Sequence, residues 1–341
     1  MPYLAVNKNV ISININVLFI NTQHINKIIP YHTFLGDNVS RIFRIFVVNI
    51  NQLINMNLEG RRQSTNVDDR RGRSVGKAGG VGLGTIVLAG ILYLVFGINP
   101  TEVIQQTGNL TGVEQTETNY TPSAEEEELA VFSKQILAGT EDVWTKIFKA
   151  NGRTYEPPRL VLYNDYVQTS TGTASASTGP FYSSADQTVY LDLSFFSSMK
   201  QQIGADGDFA YAYVIAHEVG HHVQYLLGTL QQAHSQMQRV SEKESNQISV
   251  RLELQADFYA GVWAHHDNKM FSSLEVGDLE EGLAVASKIG DDYLQKKAYG
   301  YTVPDAFNHG TSEQRSRWLK KGFTSGNPSD GDTFSIAYSR L

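Results

Sequence analysis

The chain has 341 residues, with 28 Lys and Arg against 35 Asp and Glu, nine His and no Cys. The absence of Cys excludes disulfides, thiolate metal sites and a cysteine nucleophile, so any metal must be held by histidine and carboxylate side chains. A net charge of −7 argues against a nucleic-acid-binding protein, and the length indicates about two folding units.

The N-terminal region differs in composition from the rest of the chain. Residues 1–55 contain ten Asn and eleven Ile without a helical period. We interpret this doubtful or disordered leader as a gene-start artefact, with translation beginning at Met56. The alternative is a genuine but poorly ordered cytoplasmic extension. Residues 1–55 and 56–77 each carry a net charge of +3, whereas residues 78–341 carry −13.

Residues 78–101 predict one transmembrane helix. They contain no charged residue and include the apolar run Val81–Ile98. A helix of this length spans roughly 36 Å, enough for a hydrocarbon core of about 30 Å. The basic segment 56–77 predicts a single-pass protein of the bacterial cell membrane, with a cytoplasmic N-terminus and a periplasmic or extracellular main domain. A buried core helix is the alternative, and residues 102–123 form a polar linker.

Residues 124–341 predict one α+β domain with a small sheet. The acidic turn Glu125–Glu128 begins a helix whose apolar residues recur near helical spacing. Two strands follow, Arg159–Tyr163 and Thr188–Phe196, separated by the Ser-, Thr- and Gly-rich stretch Thr169–Ser184.

The segment Asp208–Gly228 predicts a buried helix, capped by Asp208 and ended by Gly228, that carries the chemistry. It contains HEVGH, with His217, Glu218 and His221. Residues four apart lie on nearly the same helical face, so both imidazoles can bind one ion while Glu218 lies beside them. This is the H-E-x-x-H pattern of zinc hydrolases, in which the carboxylate takes a proton from metal-bound water. The alternative is a pair of hydrogen-bonded core histidines.

Two other residues of this helix carry separate predictions. Gly220 costs roughly 1 kcal/mol in a helix interior relative to Ala, so another group must approach closely there. His222 points away from the face of the two ligand histidines, and we expect it to be solvated or to support the site from behind. We expect His234 to be exposed.

A catalytic zinc ion needs a third protein ligand and an open position for water. In the helix predicted over Ser249–Trp263, Glu253 and Asp257 lie four residues apart on one face. Glu253 could bind the metal while Asp257 accepts the free N–H of a ligand histidine. The alternative is an ordinary exposed acidic face. The rival third ligands are His265, His266 and His309, although the first two are more typical of exposed residues.

His309 lies on a turn before a helix that is predicted to begin at Thr311 or Ser312. A His or Arg from this distant segment could donate a hydrogen bond to the oxyanion that forms when a carbonyl is attacked. The alternative is a surface histidine, with Arg315 in a structural ion pair.

Several motifs together resemble the bacterial neutral zinc metallopeptidase (YpfJ-like) family. They are GRRQSTNVDDRRG, GPFYSSADQTVYLDLSFF, AYVIAHEVGHHVQ, RLELQADFYAGVW and HGTSEQR, in this order between Glu59 and Trp318. The resemblance implies a gluzincin-like fold with one zinc ion per chain. It implies the metal ligands His217, His221 and Glu253, the catalytic Glu218, and Asp257 beside a ligand histidine. The His309 segment is similar to a histidine region of HtpX-like membrane proteases, which implies contact with the oxyanion.

The chain departs from this family at three expected cysteines. Thr171, Ser183 and Phe258 occupy the positions. The loss of a bridge removes a constraint worth about 2–4 kcal/mol and puts the rigidity of Thr169–Ser184 in doubt, while leaving the metal site intact.

The predicted function is zinc-dependent hydrolysis of a peptide or protein substrate by a membrane-anchored metallopeptidase, with Glu218 as general base and His309 as oxyanion donor. We expect the substrate to lie extended along an edge strand at Thr188–Leu193. The alternatives are a membrane-tethered zinc- or peptide-binding module without hydrolytic activity and a structural envelope protein with a relict site. The sequence predicts no oligomeric state.

Overall fold

The computed structural model describes residues 56–74, 116–117, 120–205 and 207–341. Residues from Ile54 to Leu341 belong to one compact unit. The predicted leader at 1–55 and the predicted transmembrane helix at 78–101 lie outside the described residues. Among the residues that are described, no helix is long and apolar enough to cross a membrane.

Helices make up most of the described structure, as the predicted α+β class allows. In chain order they are α1 (Ala124–Ala150), α2 (Ser194–Ile203), α3 (Asp208–Leu227), α4 (Thr229–Met237), α5 (Glu242–Phe271), α6 (Asp278–Lys288), α7 (Asp291–Tyr299) and α8 (Ser312–Ser325). Their ends follow local sequence rules. Ser241 caps the start of α5 in a reciprocal capping box with Glu244, and Thr311 caps the start of α8 in the same way with Gln314.

The strands form one four-stranded sheet and two pairs. They are β1 (Val67–Asp69), β2 (Arg73–Ser74), β3 (Thr116–Glu117), β4 (Arg159–Tyr163), β5 (Tyr166–Thr169), β6 (Gly172–Ser175), β7 (Phe181–Ser183) and β8 (Thr188–Asp192). The main sheet has the order β1-β4-β8-β7, with β7 antiparallel to β8 and the other pairs parallel. The β2–β3 and β5–β6 pairs are antiparallel.

The predicted strand at 188–196 is too long. It ends at Asp192, and α2 begins at Ser194. Asp192 Oδ1 accepts a hydrogen bond from the Ser194 backbone N–H at 2.9 Å, which satisfies one of the free donors at the start of the helix. The aromatic residues that follow read as a strand in sequence but are helical.

The sheet order also corrects the expected placement of the substrate. Strand β8 lies between β4 and β7, and all five of its residues are buried. Its backbone groups pair with neighbours on both sides, so an extended peptide cannot add along Thr188–Leu193. The edge strand on this side of the sheet is β7.

Helix α3 lies in the centre of the hydrophobic core, where it crosses α5. A Cβ atom at Gly220 would lie 2.9 Å from the Ala256 carbonyl oxygen, so only glycine allows this approach. The close contact predicted for Gly220 is therefore confirmed. Helices α5 and α8 also cross closely, since a Cβ atom at Gly261 would lie 2.2 Å from the Leu319 carbonyl oxygen.

The segment in which cysteines were expected folds into β5, β6 and β7. The Ser170 backbone N–H donates to Asp186 Oδ2 at 3.2 Å, and the Tyr190 hydroxyl donates to the same oxygen at 2.8 Å. These hydrogen bonds connect the β5–β6 turn to β8. Phe258 is fully buried, with its ring 6.0 Å from that of Trp318.

Residues 56–74 are part of the folded unit, which differs from the prediction of a separate cytoplasmic segment. Val67, Asp68 and Asp69 pair with β4 in the main sheet. Arg61 forms an ion pair with the buried Asp267 at 2.8 Å, and Met56 is buried in the core. Backbone pairing requires direct contact, so β1 and β4 must lie on the same side of any membrane. The predicted topology, with these segments on opposite sides, disagrees with this pairing.

Cysteine labelling can test this sidedness, because the natural chain contains no Cys. Glu59 and Glu313 are exposed on the two parts in question. We expect Glu59→Cys and Glu313→Cys variants to react alike with a membrane-impermeant maleimide in intact spheroplasts, both labelled or both protected. Permeabilised spheroplasts give the full-labelling control. Labelling of one variant alone would show that residues 56–74 do not pair with β4 in the cell.

Candidate metal centre

Helices α3 and α5 bring the three predicted metal ligands together. His217 Nε2 lies 3.2 Å from one carboxylate oxygen of Glu253, and His221 Nε2 lies 3.4 Å from the other. One ligand atom from each residue lies within 4.8 Å of those of the other two. The close crossing of α3 and α5 at Gly220 sets this arrangement, because it places Glu253 opposite the histidine face.

This donor set fits zinc. Two imidazole nitrogens and one carboxylate oxygen are a ligand combination of catalytic zinc sites. Both Nε2 atoms face the same carboxylate, and all three side chains are largely buried, with 10%, 14% and 16% of their surfaces exposed for His217, His221 and Glu253.

Each ligand histidine is oriented by a hydrogen bond at its other ring nitrogen. His217 Nδ1 lies 2.8 Å from Asp257 Oδ1, and His221 Nδ1 lies 2.8 Å from Gln224 Oε1. With Nδ1–H donating, each Nε2 keeps its lone pair for a metal. The role predicted for Asp257 matches this geometry. Gln224 was missed, although its position three residues after His221 on one helix face is a readable signal.

Asp257 lies at the centre of a buried network. Its carboxylate accepts two hydrogen bonds from Arg315, each 2.9 Å long, and one from the Tyr213 hydroxyl at 2.6 Å. Burial alone would raise the pKa of Asp257, but Arg315 and His217 outweigh it and lower that pKa to about 2. Arg315 is therefore the structural ion-pair partner and is not directed at a substrate.

The charges of the three ligands shift one another's pKa values. Burial opposes the charged forms, but His221 and His217 hold the pKa of Glu253 well below its usual range. Burial similarly disfavours a charged His217, while Asp257 and Glu253 raise its pKa to about 10. A metal must displace these protons, so metal affinity at this site depends on pH.

Glu218 is buried beside the ligands. Burial raises its pKa, against the opposing effect of the neighbouring histidines. Its carboxylate also accepts a hydrogen bond from the Tyr182 backbone N–H on the edge strand β7. Glu218 therefore lies between the metal ligands and the edge of the sheet.

His309 is buried beside this site, so its interpretation as a surface histidine is wrong. It lies near enough to Glu253 to contribute to lowering the pKa of that carboxylate. His309 Nδ1 lies 3.1 Å from Asp291 Oδ1, and Asp291 Oδ2 accepts the backbone N–H groups of His309 and Gly310 at 2.7 and 3.0 Å. Asp291 was not predicted, because it begins α7 in a separate segment.

The remaining histidines of the described residues lie outside the metal ligand set. His222 is buried and contacts the Tyr182 hydroxyl and the Glu156 carbonyl oxygen at 2.9 and 2.7 Å. His265 and His266 contact backbone carbonyl oxygens of the segment at the end of α8. They are partly buried and do not act as third ligands, whereas His234 is exposed as predicted.

Comparison with known proteins places this site in a family context. A family model described as "Putative neutral zinc metallopeptidase" matches residues 54–334. The Escherichia coli K12 protein YpfJ, described as uncharacterized, is 48% identical over 288 residues, which cover 82% of this chain and 99% of the relative. An uncharacterized Mycobacterium tuberculosis protein is 40% identical over 193 residues, covering 54% of this chain and 64% of that protein. No solved structure matches the chain.

Proposed function

The chain belongs to the neutral zinc metallopeptidase family, and from this premise we propose that it hydrolyses peptide bonds with one zinc ion and with Glu218 as the general base. The observation that carries the proposal is the convergence of His217, His221 and Glu253 with Glu218 beside them. The expected family and the coarse α+β class are both confirmed.

The proposed chemistry assigns a distinct task to each side chain. When bound, zinc would supply a Lewis acid that polarises the scissile carbonyl and makes water a nucleophile at neutral pH. Glu218 takes a proton from the attacking water and delivers it to the leaving amine. Burial raises the pKa of Glu218 towards the working pH, which favours a group that must both accept and release a proton. The Tyr182 N–H orients its carboxylate.

The edge strand β7 is the proposed site of substrate binding. Tyr182 on this strand contacts Glu218 through its backbone N–H, so the edge runs beside the catalytic carboxylate. An extended peptide bound along β7 would have its backbone next to the metal ligands. Strand addition of this kind recognises peptide backbone, which suits a peptide or protein substrate.

His309 is the proposed oxyanion donor. Because Asp291 accepts the Nδ1–H, Nε2 is the nitrogen left to contact a substrate when it is protonated. We expect His309→Leu to lower kcat by about 10²–10³-fold, the usual cost of losing one oxyanion donor, with little change in KM. Steady-state kinetics and zinc analysis by mass spectrometry check this. His266→Leu, at the far end of α5, is the matched control. Loss of bound zinc in His309→Leu would instead make His309 a ligand.

Membrane attachment through residues 78–101 is also part of the proposal, supported by the long uncharged stretch. Because β1 pairs with β4, residues 56–74 and the peptidase domain lie on one side, so this stretch would enter and leave the membrane on the same face and would not cross it once. The extracytoplasmic location of the domain stays a proposal.

Peptide cleavage by the zinc-loaded protein tests the proposed function. The protein should begin at Met56, because a protein that begins at residue 124 would lack β1 and the buried Met56. We expect a peptide library to be cleaved by the zinc-loaded protein, to be spared after chelation, and to be cleaved again when zinc is restored. Binding of peptides without cleavage would favour the binding-module alternative. If no peptide were cleaved and chelation left the thermal stability unchanged, the relict-site alternative would gain support.

A further inference from the structure

A second group of carboxylates lies at the start of the active-site helix, away from the zinc ligands. It contains Asp208, Asp278 and Glu281, and one carboxylate oxygen from each lies within 4.8 Å of those of the other two. Asp208 is the first residue of α3, nine residues before His217. We call this group the acidic pocket.

The acidic pocket is partly buried, and among the described residues its most buried member, Asp278, lacks one hydrogen bond. Asp278 is 1% exposed, and its Oδ1 atom has no hydrogen-bond partner within the described part of the chain. Its other oxygen accepts the Glu275 backbone N–H at 2.9 Å. Burial, with the charge of Asp208 adding to it, raises the pKa of Asp278 to about 6. Buried carboxylates of this kind need a positive partner.

Met56 lies at this pocket. Its backbone nitrogen donates to Asp208 Oδ2, and its side chain is 6% exposed within the core. The next residue is also fixed, since the Asn57 N–H donates to the Ser273 carbonyl oxygen at 2.7 Å. The nitrogen atom of Met56 is therefore held against the partly buried Asp208 carboxylate by the packed Met56 side chain and by the hydrogen bond of Asn57.

The comparisons place the beginning of the family match close to Met56. The match starts at residue 54, two residues before it. The alignment with the Escherichia coli relative covers 99% of that protein but only 82% of this chain.

We infer that Met56 is the first residue of the functional chain and that the acidic pocket binds its α-ammonium group. An ammonium group donates three hydrogen bonds, and three acceptors about 2.8 Å from one nitrogen lie roughly 4.6 Å apart. The separation of the three carboxylates suits this geometry. An amide N–H, in contrast, brings one donor and no charge. The ammonium ion would anchor the chain start to the helix that carries the zinc ligands.

Expression of the whole gene gives the first test. We expect the purified protein to begin at Met56 with a free amine, as read by intact mass and N-terminal sequencing. A folded protein that retains residues upstream of Met56 would overturn the inference.

The second test uses the Met56-start protein and the reactivity of its α-amine. We expect acylation of this amine to be at least about tenfold slower than that of Met56 in the unfolded chain, because the group is buried. Asp208→Asn should restore the reactivity and lower Tm by about 5–10 °C. Glu313→Gln, an exposed carboxylate on α8, is the control and should change neither value.

A third variant covers the case in which Asp208→Asn does not fold. A chain that starts one residue earlier, with Asn55→Met as its first residue, moves the ammonium group and leaves all carboxylates in place. We expect a lower Tm for this chain than for the Met56-start protein. Equal stability of the two chains would overturn the inference. An increase in Tm with calcium that is abolished by Asp278→Asn would also overturn it, because the pocket would then bind a metal ion. None of these readouts depends on peptidase activity.

Discussion

Glu218→Gln is expected to reduce kcat/KM for peptide cleavage by about 10²–10⁴-fold, the range for loss of a general acid–base group. The amide keeps the size of the side chain and its contact with the Tyr182 N–H, but it cannot accept the proton of the attacking water. Zinc content should be unchanged, because Glu218 is not one of the three converging ligands. Since burial raises the pKa of Glu218, the ionised carboxylate destabilises the fold, and Tm should not fall.

The measurement pairs cleavage kinetics with zinc analysis on the same preparations. Glu313→Gln is the matched control, since that carboxylate is 84% exposed on α8. Full activity of Glu218→Gln would show that another group acts as the base. Loss of zinc from this variant would instead make Glu218 part of the metal ligand set.

Asp257→Ala is expected to lower the free energy of unfolding by about 3–5 kcal/mol, because it leaves the buried Arg315 without its counter-ion. A domain of this size loses roughly 2–4 °C of Tm per kcal/mol. The same change removes the acceptor that orients His217, so zinc affinity should fall by about 10–100-fold. Thermal unfolding and zinc titration measure the two effects separately.

The Asp257–Arg315 pair also predicts an acid limit to stability. Because folding lowers the pKa of Asp257 from 3.8 to about 2, its contribution is complete above about pH 4 and is lost as the pH falls towards 2. Asp257→Ala should lack this part of the acid dependence. Asp142→Asn, which removes an ion-pair partner of the half-exposed Arg62, is the control and should cost at most about 1 kcal/mol. An equal loss of stability in both variants would show that burial of the pair is unimportant.

Local spacing was enough to predict the central part of the site. His217, Glu218 and His221 lie where a regular helix must place them, because residues four apart share a face. The same rule placed Glu253 and Asp257 on one face of α5, and capping rules predicted Thr311 or Ser312 as the cap of α8, of which Thr311 is the cap. These inferences depend only on neighbours within one helical turn.

Only the tertiary structure determined which distant groups meet. The pairing of Asp291 with His309, the contact of Tyr182 with Glu218 and the position of Met56 at Asp208 each join residues from separate elements. No periodicity in the sequence specifies these contacts. They depend on how helices and strands pack, which the close approach at Gly220 and the order of the sheet decide.

The same distinction explains the errors. A basic flank beside an uncharged stretch indicates a membrane orientation statistically, but the pairing of β1 with β4 is a long-range backbone contact that outweighs it. Thr188–Leu193 was predicted to be an edge strand, yet a strand's neighbours are set by sheet topology. The sequence by itself determined the candidate metal ligands of this protein, because helical geometry is local. The side chains that orient the ligands, the edge open to a substrate and the anchoring of the N-terminal segment were decided by packing between distant parts of the chain.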